Sequence, residues 1–224
     1  TGADIREVSR AIGSDSRIGS KFLDAGPGFG GSCFKKDILN LVYLAEYYGL
    51  KEVADFWNSV VSVNNWHQQR ISKLITKKLF GSLSNKKIIM LGFAFKANTN
   101  DTRESAAIDI CLDLLEEGSF LAIHDPKVDS IQIEEEFKNN ESDKSNYSSN
   151  NKNWKKFSDL EDALKGASAL IILTEWDEYK NINWIEIEKI LPSPFWIFDT
   201  RLITNEKDIQ KTNLNLWRLG NELS

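Results

Sequence analysis

Apolar residues recur at helical spacing in the first eighty-odd positions and in short unbroken runs thereafter, so the chain changes grammar partway along. Ala3 to Ile12 reads as a short helix with Asp4 placed to cap it. Ile38, Leu41, Val42, Leu44 and Ala45 form a stripe over Asp37 to Tyr48 that stops at Gly49, as a C-terminal glycine should stop a helix. Almost at once Val53, Phe56, Val60, Val63 or Asn64, His67, Ile71, Leu74 or Ile75 and Leu79 repeat at roughly 3.6 residues from Lys51 to Phe80, a helix on the order of 45 Å long. Past Gly81 come an apolar run Ile88 to Leu91, a helical pattern Ala106 to Glu117, a run Phe120 to His124, a helix Asp159 to Leu164 and a run Ala169 to Leu173. Such alternation predicts an α/β fold with a parallel sheet covered by helices, extended by a helix over Ile185 to Ile190 and strands Phe195 to Phe198 and Leu214 to Leu219. A boundary near Asn85 divides the chain into a helical unit, 1–85, and a sheet unit, 86–224.

Composition narrows the partners. The 224 residues carry 28 basic and 33 acidic side chains for a net charge of −5, with 41% hydrophobic and 27% charged residues, as in ordinary globular proteins. No block of clustered lysines and arginines offers an electrostatic footprint, so nucleic acid and anionic membrane surfaces are not expected partners. No window approaches the roughly 18 to 20 apolar residues of a membrane span and no leader pattern is visible, which predicts a cytoplasmic location. The chain begins Thr-Gly-Ala-Asp and its only methionine is Met90, the expectation being a piece of a longer protein. Glu134 to Asn153 is rich in Asn, Ser and charge with only Phe137 and Tyr147 apolar, and reads as a solvated surface insertion.

Candidate chemistry sits in Gly26-Pro27-Gly28-Phe29-Gly30-Gly31-Ser32-Cys33-Phe34-Lys35-Lys36-Asp37. The G-x-G-x-x-G pattern is met literally, but no apolar strand precedes it and a helix stands where a second strand would be needed, so it is not a dinucleotide fingerprint. Directly after the glycines comes a thiol at the start of a helix, where unpaired N–H groups and the helix dipole favour an anion. Lys35 and Lys36 push Cys33 toward acidity while Asp37 opposes, and the balance predicts a lowered pKa. A bare glycine backbone beside a thiolate offers N–H donors to an oxyanion, and Asp37 could activate a water. On spacing alone the same residues serve equally as a turn, a small packed thiol and a first-turn carboxylate. Cys111, on an apolar helix face, is core filler, and the distant His67 and His124 form no metal cluster and are assigned no catalytic role.

The chain resembles the central and C-terminal parts of the UDP-glucose/GDP-mannose dehydrogenase family. The likeness rests on Gly28 to Asp37, Leu91-Gly92-Phe93-Ala94-Phe95-Lys96, Asp101-Thr102-Arg103-Glu104-Ser105, Asp125-Pro126-Lys127, Thr174-Glu175-Trp176 and Phe198-Asp199-Thr200-Arg201, and it spans nearly the whole sequence. It implies a two-step, NAD-dependent oxidation of a sugar C6 alcohol to a carboxylate through a thiohemiacetal and a thioester, with Cys33 as nucleophile and Asp37 as the carboxylate that orients water. Arg17, Phe22, the Asp24 to Gly30 loop with Phe29 and Gly30, Phe95, Lys96 and Arg201 match positions that hold UDP-glucose. Lys36 and Arg103 match positions that touch NAD. It also implies a Rossmann-like second unit and a homodimer, or a higher homo-oligomer, through the long helix.

Elementary chemistry agrees with part of this, since Arg17, Lys96 and Arg201 could neutralise a pyrophosphate by charge-assisted hydrogen bonds. The lesser alternative is that Lys96 and Arg103 are solvated surface charges and Asp199 with Arg201 a structural ion pair. The turn after Leu91 has a lone Gly92, which argues for a nucleotide held by side chains rather than by that turn. The family's N-terminal NAD domain and the helix bearing its catalytic lysine and asparagine have no counterpart here, so the chain by itself is expected not to turn over substrate. Asp24 and Lys35 stand at positions that vary in the family. Phe34 and the Thr174 segment favour the UDP-glucose branch, with GDP-mannose or a UDP-N-acetylhexosamine as alternative substrates. A non-catalytic UDP-sugar-binding module is the alternative of another class.

Overall fold

The computed structural model describes residues 3–140 and 153–220. Helix α1 (Ile5–Gly13) starts where Asp4 accepts the Arg6 N–H, the cap expected from the sequence. Helix α2 (Phe34–Tyr47) starts with Cys33 at its N-cap, and α3 (Lys51–Lys78) begins just past the left-handed Gly49. With 28 residues, α3 is roughly 40 Å long. Its two halves have different neighbours. Ala54 and Val61 are buried in the half that runs beside α2, whereas Ile71, Leu74, Ile75 and Leu79 belong to the core of the sheet.

That sheet is built from β1 (Lys87–Leu91), β2 (Phe120–His124), β3 (Trp154–Phe157), β4 (Ala169–Ile172), β5 (Trp196–Asp199) and β6 (Asn215–Arg218), all parallel, in the order β3-β2-β1-β4-β5-β6. Helices α4 (Ala106–Glu116), α5 (Ser130–Asn140), α6 (Leu160–Leu164), α7 (Asp177–Lys180), α8 (Trp184–Glu188) and α9 (Glu206–Ile209) make the crossovers. The order reverses beside β1, giving the doubly wound Rossmann-like topology, and the α/β expectation holds. Strand residues 88–91 and 169–172 are wholly buried, which is why these strands read as unbroken apolar runs rather than alternating ones.

Two elements correct the sequence reading. Residues 134–140, assigned there to a solvated insertion, are the last turns of α5, and β3 lies just past that segment. Ile133 and Phe137, four residues apart on one helical face, are buried, and the Phe137 ring meets Phe93 and Trp154 edge-on at 5.6 and 5.5 Å. One apolar pair at the right spacing anchors this helix despite its polar composition. The remainder of the segment, 141–152, lies outside the described residues. Among the described residues no helix is long and apolar enough to cross a membrane, and no group of His, Cys, Asp or Glu side chains could hold a metal ion.

Candidate active site

Buried Asn64 and half-buried His67 of α3 hold the glycine loop. Asn64 Oδ1 accepts the Phe29 N–H at 2.9 Å and its Nδ2 donates to the Phe29 carbonyl at 3.4 Å. One turn on, His67 Nε2 lies 3.1 Å from the Gly26 carbonyl. Burial pushes the His67 pKa down, more than the Gly26 hydrogen bond raises it, so near neutral pH the ring is neutral and Nε2 donates. The sequence gives Asn64 and His67 no more than places on a helical stripe. Their one signal is a run of polar side chains on the face of α3 that the apolar spacing marks as buried.

From above, the loop meets the sheet unit. The Gly31 N–H donates to the Arg103 carbonyl at 2.9 Å. Gly30 is pressed against the next residue so closely that a Cβ would stand 2.2 Å from the Glu104 carbonyl oxygen. Gly31, at φ +90°, lies flat against the Phe95 ring, and Gly26 lies against the Arg201 guanidinium. Phe29 and Phe34 meet edge-on at 4.7 Å. Of the loop N–H groups that the sequence offers to an oxyanion, those of Phe29 and Gly31 are occupied in fixing the loop to α3 and to Arg103.

Cys33 is exposed, at the turn from loop to helix, with Ser32 Oγ 3.5 Å from its sulfur. Asp37 stands one turn later, exposed, its N–H donating to the Cys33 carbonyl at 2.8 Å. Lys35 Nζ crosses to Glu104 Oε2 at 2.6 Å. Beside the loop a cavity of about 780 Å³ is lined by Gly31, Ser32, Lys36, Gln68, Arg103 and Glu136, among others. Lys36 and Arg103, matched separately to cofactor contacts, therefore share one cavity. The Asp101 carboxylate grips the Arg103 guanidinium at 2.9 and 2.7 Å and raises its pKa, and charge on Cys33 adds to the effect.

Arg201 approaches from the C-terminal end of β5. Its Nε donates to the Leu173 carbonyl at 2.7 Å and its Nη2 to the Phe95 carbonyl at 3.2 Å, with Glu175 Oε2 3.3 Å from Nε. Burial lowers its pKa, against the pull of Glu175 and Asp24, and a guanidinium keeps its proton regardless. The alternative of an Asp199–Arg201 side-chain ion pair is not what forms. Asp199 accepts the Arg201 backbone N–H, and its other oxygen takes the Thr204 N–H and hydroxyl, so the guanidinium is left to face the loop. Lys96 is exposed, its Nζ 5.3 Å from the Phe95 ring centroid. Arg17 and Phe22 are not brought to this site by contacts within the chain. Arg17 is exposed and paired with Asp15, and Phe22, at φ +62°, is fully exposed.

The turn after β1 is closed by Asp125. One carboxylate oxygen accepts the N–H groups of Phe93 and Ala94 at 2.7 and 3.1 Å and lies 3.3 Å from Trp176 Nε1; the other accepts those of Lys127 and Val128. Thr174 Oγ1 donates to the Ala94 carbonyl at 2.6 Å. These bonds account for the Asp125 and Thr174 motifs and leave Phe95 and Lys96 to project from a fixed base.

Residues 89–206 match the model of the UDP-glucose/GDP-mannose dehydrogenase family, UDP binding domain, and residues 1–66 match that of the family's central domain. UDP-glucose 6-dehydrogenase of Drosophila melanogaster is 46% identical over 220 residues, covering 98% of this chain and 46% of that protein. UDP-glucose 6-dehydrogenase 2 of Arabidopsis thaliana is 42% identical over 234 residues, covering 100% and 48%. A UDP-glucose dehydrogenase structure from Pyrobaculum islandicum superposes with a TM-score of 0.73 at 28% identity over 96% of this chain and 44% of that one. The chain thus spans about half the length of the curated relatives it matches.

Proposed function

The chain belongs to the UDP-glucose/GDP-mannose dehydrogenase family, and from that premise we propose that it is the nucleophile-bearing and UDP-binding part of an enzyme that oxidises UDP-glucose to UDP-glucuronate. The observation that carries the reading is the seating of the Cys33 loop. Residues from separate motifs, Phe95, Arg103, Glu104 and Arg201, converge on Gly26 to Gly31 from the other half of the chain. The division near Asn85 then separates a central helical domain from a UDP-binding domain.

In this reading Arg201 and Lys96 neutralise the pyrophosphate of the sugar nucleotide, Arg201 as a preset donor and Lys96 as a mobile one. Phe95, Phe29 and Gly30 shape the wall along which the sugar reaches the thiol. Cys33 adds as thiolate to the C6 aldehyde to form a thiohemiacetal, which is oxidised to a thioester; Asp37, a turn away, takes the proton of the water that releases the carboxylate. Lys36 and Arg103 line the cavity next to Gly31 and Ser32, beside the Lys35–Glu104 ion pair, and are donors suited to the pyrophosphate of NAD. NAD, when bound, supplies the hydride acceptor for both oxidations. The chain spans about half the length of its curated relatives, and the residues in hand supply the sugar-nucleotide site and the nucleophile.

A homodimer fits the surface. Tyr43 and Tyr47 of α2 and Phe56 and Trp66 of α3 are exposed, an apolar load that single soluble units rarely leave uncovered.

Calorimetric titration with UDP-glucose tests the reading: binding tighter than roughly 1 mM, lost in Arg201→Ala and not matched by GDP-mannose, is expected. Equal affinity for GDP-mannose would overturn the substrate, unaltered binding in Arg201→Ala would overturn the site, and steady NADH formation by the chain alone would overturn its partial character.

A further inference from the structure

The geometry points to Lys35 and Glu104 as a latch that holds the Arg103–Glu104 loop against the loop carrying the Cys33 thiol, two positioning residues for the proposed chemistry; the inference rests on that reading of the site. Lys35 lies in the first turn of α2, two residues past Cys33, and Glu104 lies in the loop between β1 and α4, yet their charged atoms are 2.6 Å apart. Glu104 adopts φ +53°, a left-handed conformation that is unfavourable for a residue with a Cβ. Such a residue persists where its neighbours leave no alternative. Here each residue of the stretch is fastened to a different element. The Arg103 carbonyl takes the Gly31 N–H, the Glu104 carbonyl abuts Gly30 while its carboxylate takes Lys35, and Ser105 caps α4 and donates to the Phe93 carbonyl.

The left-handed turn at Glu104 allows its carbonyl and its side chain to grip the thiol loop on two sides. Arg103, the residue before it, is tied to the same loop through its carbonyl, which takes the Gly31 N–H at 2.9 Å. Lys35, so close to the thiol in sequence, is neutralised by Glu104. Its part is mechanical: it keeps the N-terminus of α2 against the loop that carries Arg103.

A mechanical latch and a simple field effect differ in sign. If Lys35 and Glu104 act only through their charges, removing the lysine makes the thiol less reactive and removing the glutamate makes it more so. A latch fails the same way whichever half is lost. The test is the second-order rate of iodoacetamide alkylation of Cys33 at pH 7, with and without UDP-glucose, the adduct located by mass spectrometry. Lys35→Met and Glu104→Gln are each expected to slow alkylation by roughly two- to fivefold, the range of a partly exposed ion pair. The exchange Lys35→Glu with Glu104→Lys is expected to restore the rate to within about twofold. Opposite changes in the two single variants, no change in either, or no recovery in the exchange would overturn the latch. A parent chain whose Cys33 reacts as free cysteine does and is not shielded by UDP-glucose would overturn the site reading and the latch together. Shielding in the parent with unchanged variants removes the latch alone.

Discussion

Gly30→Ala tests the contact on which the proposed site is built. The added carbon would stand 2.2 Å from the Glu104 carbonyl oxygen, where ordinary contact begins near 3.4 Å, with the Phe95 Cβ at 3.3 Å on the other side. Backbone must therefore move by about 1 Å, and the backbone in question is already left-handed at Glu104. Overpacking of this kind costs about 1–3 kcal/mol. Moving Glu104 displaces Arg103 and its bond to Gly31; moving the loop displaces Phe29 from Asn64 and Gly26 from His67 and Arg201. Either way the loss falls on the face proposed for the sugar, so UDP-glucose affinity in calorimetry should fall at least about tenfold, the equivalent of roughly 1.4 kcal/mol. Gly49→Ala separates strain from site. It also forces a left-handed alanine, at φ +72°, but with no atom within 4 Å of the new carbon. That variant should lose about 1 kcal/mol in urea unfolding and bind UDP-glucose as the parent does. Parental affinity and an unchanged unfolding midpoint in Gly30→Ala would refute the loop-to-Glu104 contact on which the site rests.

His67, held below its ordinary value of 6.5 by burial, links stability to pH. Between that lowered native value and about 6.5 the unfolded chain binds the extra proton, so stability should fall as pH drops below about 6.5, and His67→Gln, which keeps a donor for the Gly26 carbonyl, should flatten the pH dependence of the unfolding midpoint in this range. Burial pushes the Cys111 thiol far above the ordinary range. Native protein should therefore take one iodoacetamide adduct, at Cys33, and a second only on unfolding; two adducts under native conditions would contradict the burial. Phe137→Ala should cost about 3–5 kcal/mol in urea unfolding by emptying the space between Phe93 and Trp154. A cost below about 1 kcal/mol would mean that α5 is not part of the core.

Long helices and inner strands are legible in the sequence because their burial is periodic or complete. Leu121, Ile171 and Ile197 have no solvent side, so their strands stand out in composition alone. Strand β3, at the sheet edge, presents Trp154 and Phe157 around two lysines, and α5 has Ile133 and Phe137 among glutamates. In both, two inward side chains are enough, and two is too few for a pattern. At the site, Cys33 stands out as a thiol that follows a glycine run at the start of a helix, while Arg103 and Arg201 are reached through the family motifs that contain them. The residues that hold them do not. Asn64, His67 and Glu104 acquire meaning only when a distant segment folds across them, since a polar side chain on a buried helical face specifies that something polar arrives and not which group it is. The same blindness runs the other way for Phe29 and Gly31, whose N–H groups the sequence cannot show to be engaged.

Asp125 has a consequence for how this sheet divides labour with any other nucleotide domain. Its carboxylate sits at the mouth of β1, where sheets of this winding ordinarily receive a ligand's phosphate, and the amides that would do the receiving already serve it. The protein carries its own resident anion there. A dinucleotide arriving by the usual route would have to evict a carboxylate held by five donors, four backbone N–H groups and the Trp176 indole. Whatever phosphate it recognises must be met further out, by cations on side chains, and selectivity there can be altered one residue at a time without disturbing the strand ends beneath.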